Sequence, residues 1–388
     1  MANRPVLALL LAGLAVTGAS AQEAPPLQGT STLVYVGTRT SDKGKGIYLF
    51  RLQSAGTEVF QNVTLVPLGL AADTANPTFF EIDTKRRLLF AVNEIEQFDR
   101  KPVGAVSAFA IDDTGRLKLI NQRATSGPAP CQLVIASEGK HIVVANCGNG
   151  SLAVLPIAAD GQLGVVTGEV AGTKATCVAS DPAGKFVFVC EPVNDRVLVF
   201  QIDGASGKLQ PRPTIAAKAG AAPRQIAFRP DGQFAYVLNE KNSTVVTFAY
   251  DAEAGTLKEI GSVTTVPEYF DGPNTTYDLR VHNTGKYLYA SNIGHDSIVL
   301  FNIDKDKGTL TFVEEQSTGG RHPKEFGLQT SGGHMAISLP ENNHVWASRI
   351  DDTNGRLKPS GIFADVPSPA SIRFLPPVGM AAPAPAEP

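Results

Sequence analysis

Several segment types are missing from this chain, and each absence removes a class of protein. No long stretch carries apolar residues at a 3.6-residue period, which argues against helical repeats. No Cys-x-x-Cys occurs, so a structural zinc site is not expected. No G-x-S-x-G elbow, P-loop, H-x-H or H-E-x-x-H string is present. A serine hydrolase built on a nucleophile elbow, a nucleotide-binding loop and a histidine metal site are therefore disfavoured, and no cofactor or metal is expected. There is no excess of positive charge either. The formal net charge is -3, which argues against a nucleic-acid partner, since such surfaces carry a basic stripe.

What the chain does have is a repeat. A G-x-L turn recurs at Gly115, Gly161, Gly207, Gly255, Gly308 and Gly355. Its spacing of about 46 to 53 residues matches four-stranded propeller blades. Upstream lies a Gly-Lys-like turn and a strand ending in a polar residue, as in Gly139-Lys140 to Asn146 and Gly285-Lys286 to Asn292; Lys85-Arg86 to Asn93 is a looser copy and Gly332-Gly333 to Leu339 a degenerate one. The clearest unit runs from Ala222 to Leu257. It has apolar runs at Ile226 to Phe228, Phe234 to Leu238 and Thr244 to Tyr250, separated by turn residues. Six full units span about Pro77 to Gly361. Leu33 to Leu52 carries later strands of a unit without a first strand, and Pro367 to Leu375 resembles a first strand alone. Joined, the two ends complete a seventh unit and remove the exposed sheet edge. The expected fold is all-β: a seven-bladed propeller of four-stranded antiparallel blades, one closed by both chain ends. An open β-solenoid is the alternative.

Residues 1–21 read as a secretory signal, with Arg4, an apolar core from Val6 to Val16 and the small residues Ala19-Ser20-Ala21. Residues 22–32 are a flexible lead-in, 33–376 a single propeller domain and 377–388 a disordered Ala/Pro tail. No other apolar run is long enough for a membrane span. The mature protein is expected to be exported, periplasmic or secreted. The four cysteines, Cys131, Cys147, Cys177 and Cys190, fall in the third and fourth units. That placement suits a bridge between neighbouring blades; buried free thiols are the other reading.

The repeat also sorts residues into rings around the axis. First strands start at Thr78, Cys131, Thr176, Arg224, Tyr277, Lys324 and Ala370. Second strands end on the same face, at Thr38, Asn93, Asn146, Glu191, Asn239, Asn292 and Leu339. One residue further come Arg39, Glu94, Cys147, Pro192, Glu240, Ile293 and Pro340. A two-residue turn at Asp231-Gly232 predicts Arg224 opposite Asn239, with Glu240 beside both. That pair is either a structural ion pair or part of a ligand pocket. His295 and His322 fall in loops of this face, and His344 is a further candidate. His141, His282 and His334 lie at the opposite turns. The long loops from Glu94 to Gly104 and from Thr264 to Thr276 are expected to overhang the mouth.

Several strings are similar to those of the seven-bladed propeller lactonase family, which includes bacterial 6-phosphogluconolactonase and the fungal carboxy-cis,cis-muconate cyclase. They are Val36-Gly37-Thr38 with Lys45-Gly46-Ile47-Tyr48, Ala145-Asn146-Cys147-Gly148-Asn149-Gly150-Ser151, Pro223-Arg224-Gln225-Ile226-Ala227-Phe228, Asn239-Glu240-Lys241, and Ser291-Asn292-Ile293-Gly294-His295-Asp296. The resemblance implies Arg224 and Glu240 as members of the family's active cleft. The chain departs from the family at Gln225, where a His is usual, at Lys174 to Val178, which replaces a His-x-His segment, and at Ile293 and Lys324, each in place of an Arg. The implied activity is hydrolysis of a sugar-type lactone, with Glu240 as base and Arg224 binding the anion or oxyanion. Asn93, Glu94, Asn146, Asn239, Asn292, His295, His322 and Lys324 would contact the substrate. The alternatives are a non-catalytic exported propeller binding a small ligand or protein, and a muconate-type cyclase.

Overall fold

Each repeat unit folds into a four-stranded antiparallel sheet, because its apolar runs are too short for anything else and its Gly, Pro and Asp clusters turn the chain at regular intervals. The computed structural model describes residues 32–57 and 60–376. It contains seven such sheets. We number the blades from the N-terminus. Blade 1 combines the last strand of the chain, Pro369–Leu375, with Thr32–Thr38 and the two strands after it. The pairing Val34 to Phe374 and Val36 to Ile372 closes the ring. Thr32, expected to end the lead-in, already belongs to that strand. The secretory signal and the Ala/Pro tail lie outside the described residues.

Seven apolar clusters fill the structure, each shared by two neighbouring blades. One of them joins blade 7 to blade 1 through Ala336, Val345, Phe374 and Val36, so burial runs around the whole circle. Second strands such as Phe234–Asn239 are buried along their whole length, since both faces meet another sheet. Each fully buried Phe, Leu or Val there contributes roughly 1.5–3 kcal/mol.

The G-x-L turn has a packing reason. Gly308 has φ +68°, and a Cβ on it would come within 2.2 Å of the Phe234 ring in the preceding blade. Its carbonyl accepts a 3.0 Å hydrogen bond from the hydroxyl of Tyr236 in that blade, as Gly355 does from Tyr289 at 2.6 Å. The turn is thus the latch between successive blades.

The cysteine expectation needs correction. Cys131 and Cys147 form a disulfide within blade 3, with Cα atoms 5.8 Å apart. Cys177 and Cys190 face each other across the first two strands of blade 4 as buried free thiols. The bridge joins the bulged start of the first strand to the residue after the second strand of one blade.

Candidate active site

First strands of neighbouring blades pack against one another around most of the axis. At one end of the channel between them lies a cavity of about 230 Å³. All seven first-strand starts, Thr78, Cys131, Thr176, Arg224, Tyr277, Lys324 and Ala370, line it. From the ring just beyond the second strands, Arg39, Glu94, Cys147 and Pro340 line it too.

Bulges aim several of these side chains. In blade 5, Pro223 pairs with Asn239 and Gln225 with Leu238, leaving Arg224 as the unpaired extra residue. Cys131 is left over in the same way in blade 3. A bulged residue leaves the ladder and its side chain is re-aimed. The expected alignment of Arg224 opposite Asn239 is therefore corrected: Pro223 takes that place. The five residues 229–233 between these strands also form a longer turn than the two-residue one expected.

Arg224 remains beside Glu240, with Nη1 donating to Glu240 Oε2 at 2.8 Å. Its Nε donates to the Tyr277 carbonyl at 3.2 Å, and its guanidinium lies 4.0 Å from the centre of the Tyr277 ring. Burial alone would lower the Arg224 pKa; Tyr277 and Glu240 outweigh it and raise the pKa. Glu240 does not itself line the cavity but is bonded to a residue that does. Its side chain keeps 31% exposure, and no hydrogen bond within the described residues reaches its Oε1.

Lys324 stands across the Tyr277 ring, its Nζ 5.7 Å from the ring centre. Its pKa is lowered, first by burial and then by Arg39 and Arg224. Arg39 makes a 3.4 Å ion pair with Glu94. Three cations thus share one small cavity. Lys324 has no ion pair within the described residues, so the cavity suits an anionic group.

The asparagine ring sits elsewhere. Asn93, Asn146, Asn239 and Asn292 are buried and none lines the cavity. Asn93 donates to Thr74 Oγ1 and the Ala75 carbonyl and accepts from Ser107. Asn146 donates to the Thr125 carbonyl at 2.8 Å, and Asn239 to Thr244 Oγ1 at 2.9 Å. Asn292 donates to the Thr265 carbonyl and accepts from Thr265 Oγ1 and Asn274. Asn93, Asn146 and Asn292 thereby tie a strand end to a neighbouring loop, whereas the Asn239 bond stays within its own hairpin. The loop histidines also stay outside the lining. His295 Nδ1 lies 2.7 Å from Ser297 Oγ, and its ring meets Phe270 edge-on; His322 pairs with Glu341. Of the two long loops, only Glu94 reaches the cavity wall.

A second layer of side chains lies beneath the first-strand starts. One position beyond the first-strand starts, Phe79, Gln132, Gln225, Asp278 and Glu325 form the cavity floor. Gln225 bonds to Gln132 at 3.4 Å and to Asp278 at 3.3 Å. The signal was a run of polar residues at an inward position of otherwise apolar strands. Within the described residues, no group of three or more His, Cys, Asp or Glu side chains is placed to hold a metal ion.

The family model described as Lactonase, 7-bladed beta-propeller, matches residues 33–374. The chain belongs to this family. A 6-phosphogluconolactonase of Bacillus subtilis is 29% identical over 358 residues, covering 89% of this chain and 99% of that protein. A solved periplasmic gluconolactonase of Pseudomonas aeruginosa is 28% identical, covers 91% of this chain and 100% of its own, and superposes with a TM-score of 0.80. A putative 6-phosphogluconolactonase structure from Bacteroides fragilis is 30% identical, covers 90% and 99%, and has a TM-score of 0.79.

Proposed function

We propose that the protein is an exported lactone hydrolase acting on a sugar-type lactone in the cavity lined by Arg224, Lys324 and Arg39. The observation that carries this reading is Arg224 on the cavity wall, bonded at 2.8 Å to Glu240, in a member of the lactonase family. Water adds to the lactone carbonyl carbon, and Glu240 takes its proton on the unbonded Oε1. Negative charge building on the carbonyl oxygen is held by Arg224, while Lys324, across the Tyr277 ring, faces an anionic group of the substrate. The ring carbon–oxygen bond then breaks to give the open hydroxy acid. Asn93, Asn146 and Asn292 position the loops around the cavity, and His295 and His322 are surface groups of the same face.

Export is supported by the N-terminal signal pattern and by likeness to a periplasmic gluconolactonase. A second reading, a propeller that binds without catalysis, is favoured by one feature. Gln225 stands where the family has its histidine, and an amide cannot exchange a proton at neutral pH. The test is hydrolysis of glucono-δ-lactone and 6-phosphogluconolactone by the mature protein, corrected for spontaneous opening. Turnover well above that background supports the enzyme; none on either lactone supports the binding propeller.

A further inference from the structure

The mechanism above leaves one proton unassigned. When the ring carbon–oxygen bond breaks, the departing oxygen leaves as an alkoxide and needs a proton. The cavity floor holds a group that has one to give. Glu325, immediately before the first strand of blade 7, lines the cavity yet is 5% exposed. Arg280 Nη2 donates to its Oε1 at 3.1 Å, and Arg373 Nη1 donates to the same oxygen. No hydrogen bond from the described residues reaches Oε2.

The charges around it do not balance when every carboxyl is ionised. Arg280 and Arg373 face three carboxyls, Glu325, Asp278 and Glu81. Asp278 accepts from the backbone N–H groups of Leu279 and Phe326 as well as from Arg280 and Gln225. Glu81 pairs with Arg373 at 2.8 Å and is 29% exposed, so water reaches it. Glu325 has neither backbone donors nor water in comparable measure. The spare proton of this network belongs on it.

We propose that Glu325 is the general acid of the reaction, protonating the ring oxygen as the lactone opens. This rests on the lactone-hydrolase reading. In balance, Glu240 removes a proton from the attacking water, and the carbonyl carbon gains its oxygen. The ring carbon–oxygen bond breaks, and the Glu325 proton passes to the ring oxygen. Glu240 then loses its proton to solvent and Glu325 regains one. Burial pushes the Glu325 carboxyl up to about 7, against the pull of Arg373 and Arg280 and with a push from Asp278. Tyr277 also faces it, with its hydroxyl kept neutral by burial, while Arg39 and Lys324 line the cavity from other blades.

The test compares two lactones with the wild type, Glu325→Gln and Glu240→Gln. Glucono-δ-lactone expels an alkoxide and needs an acid; dihydrocoumarin expels a phenolate and does not. We expect Glu325→Gln to lower turnover of the first by about 100-fold or more and of the second by no more than about threefold. We also expect wild-type turnover of glucono-δ-lactone, corrected for background, to fall as pH rises through neutral, and that fall to vanish in Glu325→Gln. Equal losses on both lactones, or a wild-type rate that does not fall, would overturn the proposal. Where the variant does not fold or dihydrocoumarin is not bound, the wild-type pH profile on glucono-δ-lactone decides. Glu240→Gln separates the two readings, because loss of the base affects both lactones. A wild type that opens neither overturns the hydrolase and the acid together.

Discussion

Arg224 and Glu240 occupy in blade 5 the same two ring positions that Cys131 and Cys147 occupy in blade 3. Each pair is 16 residues apart, from the bulged first-strand start to the residue after the second strand. Where one blade carries a covalent bridge, the other carries an ion pair on the wall of the same cavity. A scaffold that tolerates such different pairs at this place does not depend on any one of them for its fold.

The ion pair should therefore matter more to activity than to stability. Its two side chains keep 23% and 31% exposure, and a pair of that kind contributes no more than about 1 kcal/mol. Removing a donor that stabilises an oxyanion costs roughly 100- to 1,000-fold. Arg224→Ala should lower kcat/KM for lactone opening by that order while the melting temperature changes little. Steady-state kinetics alongside thermal melts check both halves.

The disulfide should show the converse. Closing a loop of this length stabilises by about 3 kcal/mol in the chain-entropy model. Replacing Cys131 and Cys147 together by Ser should lower the stability by about 2–4 kcal/mol in urea titrations. Thiol titration of the unfolded, unreduced protein should count two free thiols among the four cysteines. The neighbouring Cys177 and then burial raise the Cys190 thiol pKa, and neither buried thiol should react in the native protein.

Lys324 should set the preference for a charged substrate. A hydrogen bond to a charged group contributes about 1.5–3 kcal/mol, which is roughly tenfold or more in binding. Lys324→Met should raise KM for 6-phosphogluconolactone by about that factor and change it far less for the uncharged lactone. Equal effects on the two would show that Lys324 meets the carbonyl oxygen instead.

Asn292 tests the asparagine ring. It makes bonds to Thr265 and Asn274 in a fully buried setting, and leaving those groups unpaired costs about 1–3 kcal/mol. Asn292→Ala should lose that much stability, with kcat/KM of the folded protein within about threefold of wild type. A selective loss of activity in a fully stable variant would return Asn292 to the substrate.

Much of the architecture was legible because the repeat acts on the backbone. Gly308 and Gly355 mark blade junctions, and the incomplete ends at Leu33 and Leu375 pair as required for closure. The first-strand starts were legible for the same reason, since equivalent positions in a closed ring face one axis. The second-strand ends were not. Asn93 and Asn292 share that face, yet their strands are sandwiched between blades, and their amides turn to nearby loops. A bulge moved Pro223, rather than Arg224, opposite Asn239, and strand periodicity does not reveal an extra residue. Glu325 was not legible as a site residue because its partners Arg280 and Arg373 come from other blades.

The most direct test of the account is the turnover of Glu240→Gln with glucono-δ-lactone at saturating concentration, measured beside gluconate binding and a melting curve. The account predicts kcat lower by about 100-fold or more, with the fold retained and gluconate still bound. Full turnover by a folded Glu240→Gln protein would contradict it, and would leave Arg224 paired to a carboxylate that does no chemistry.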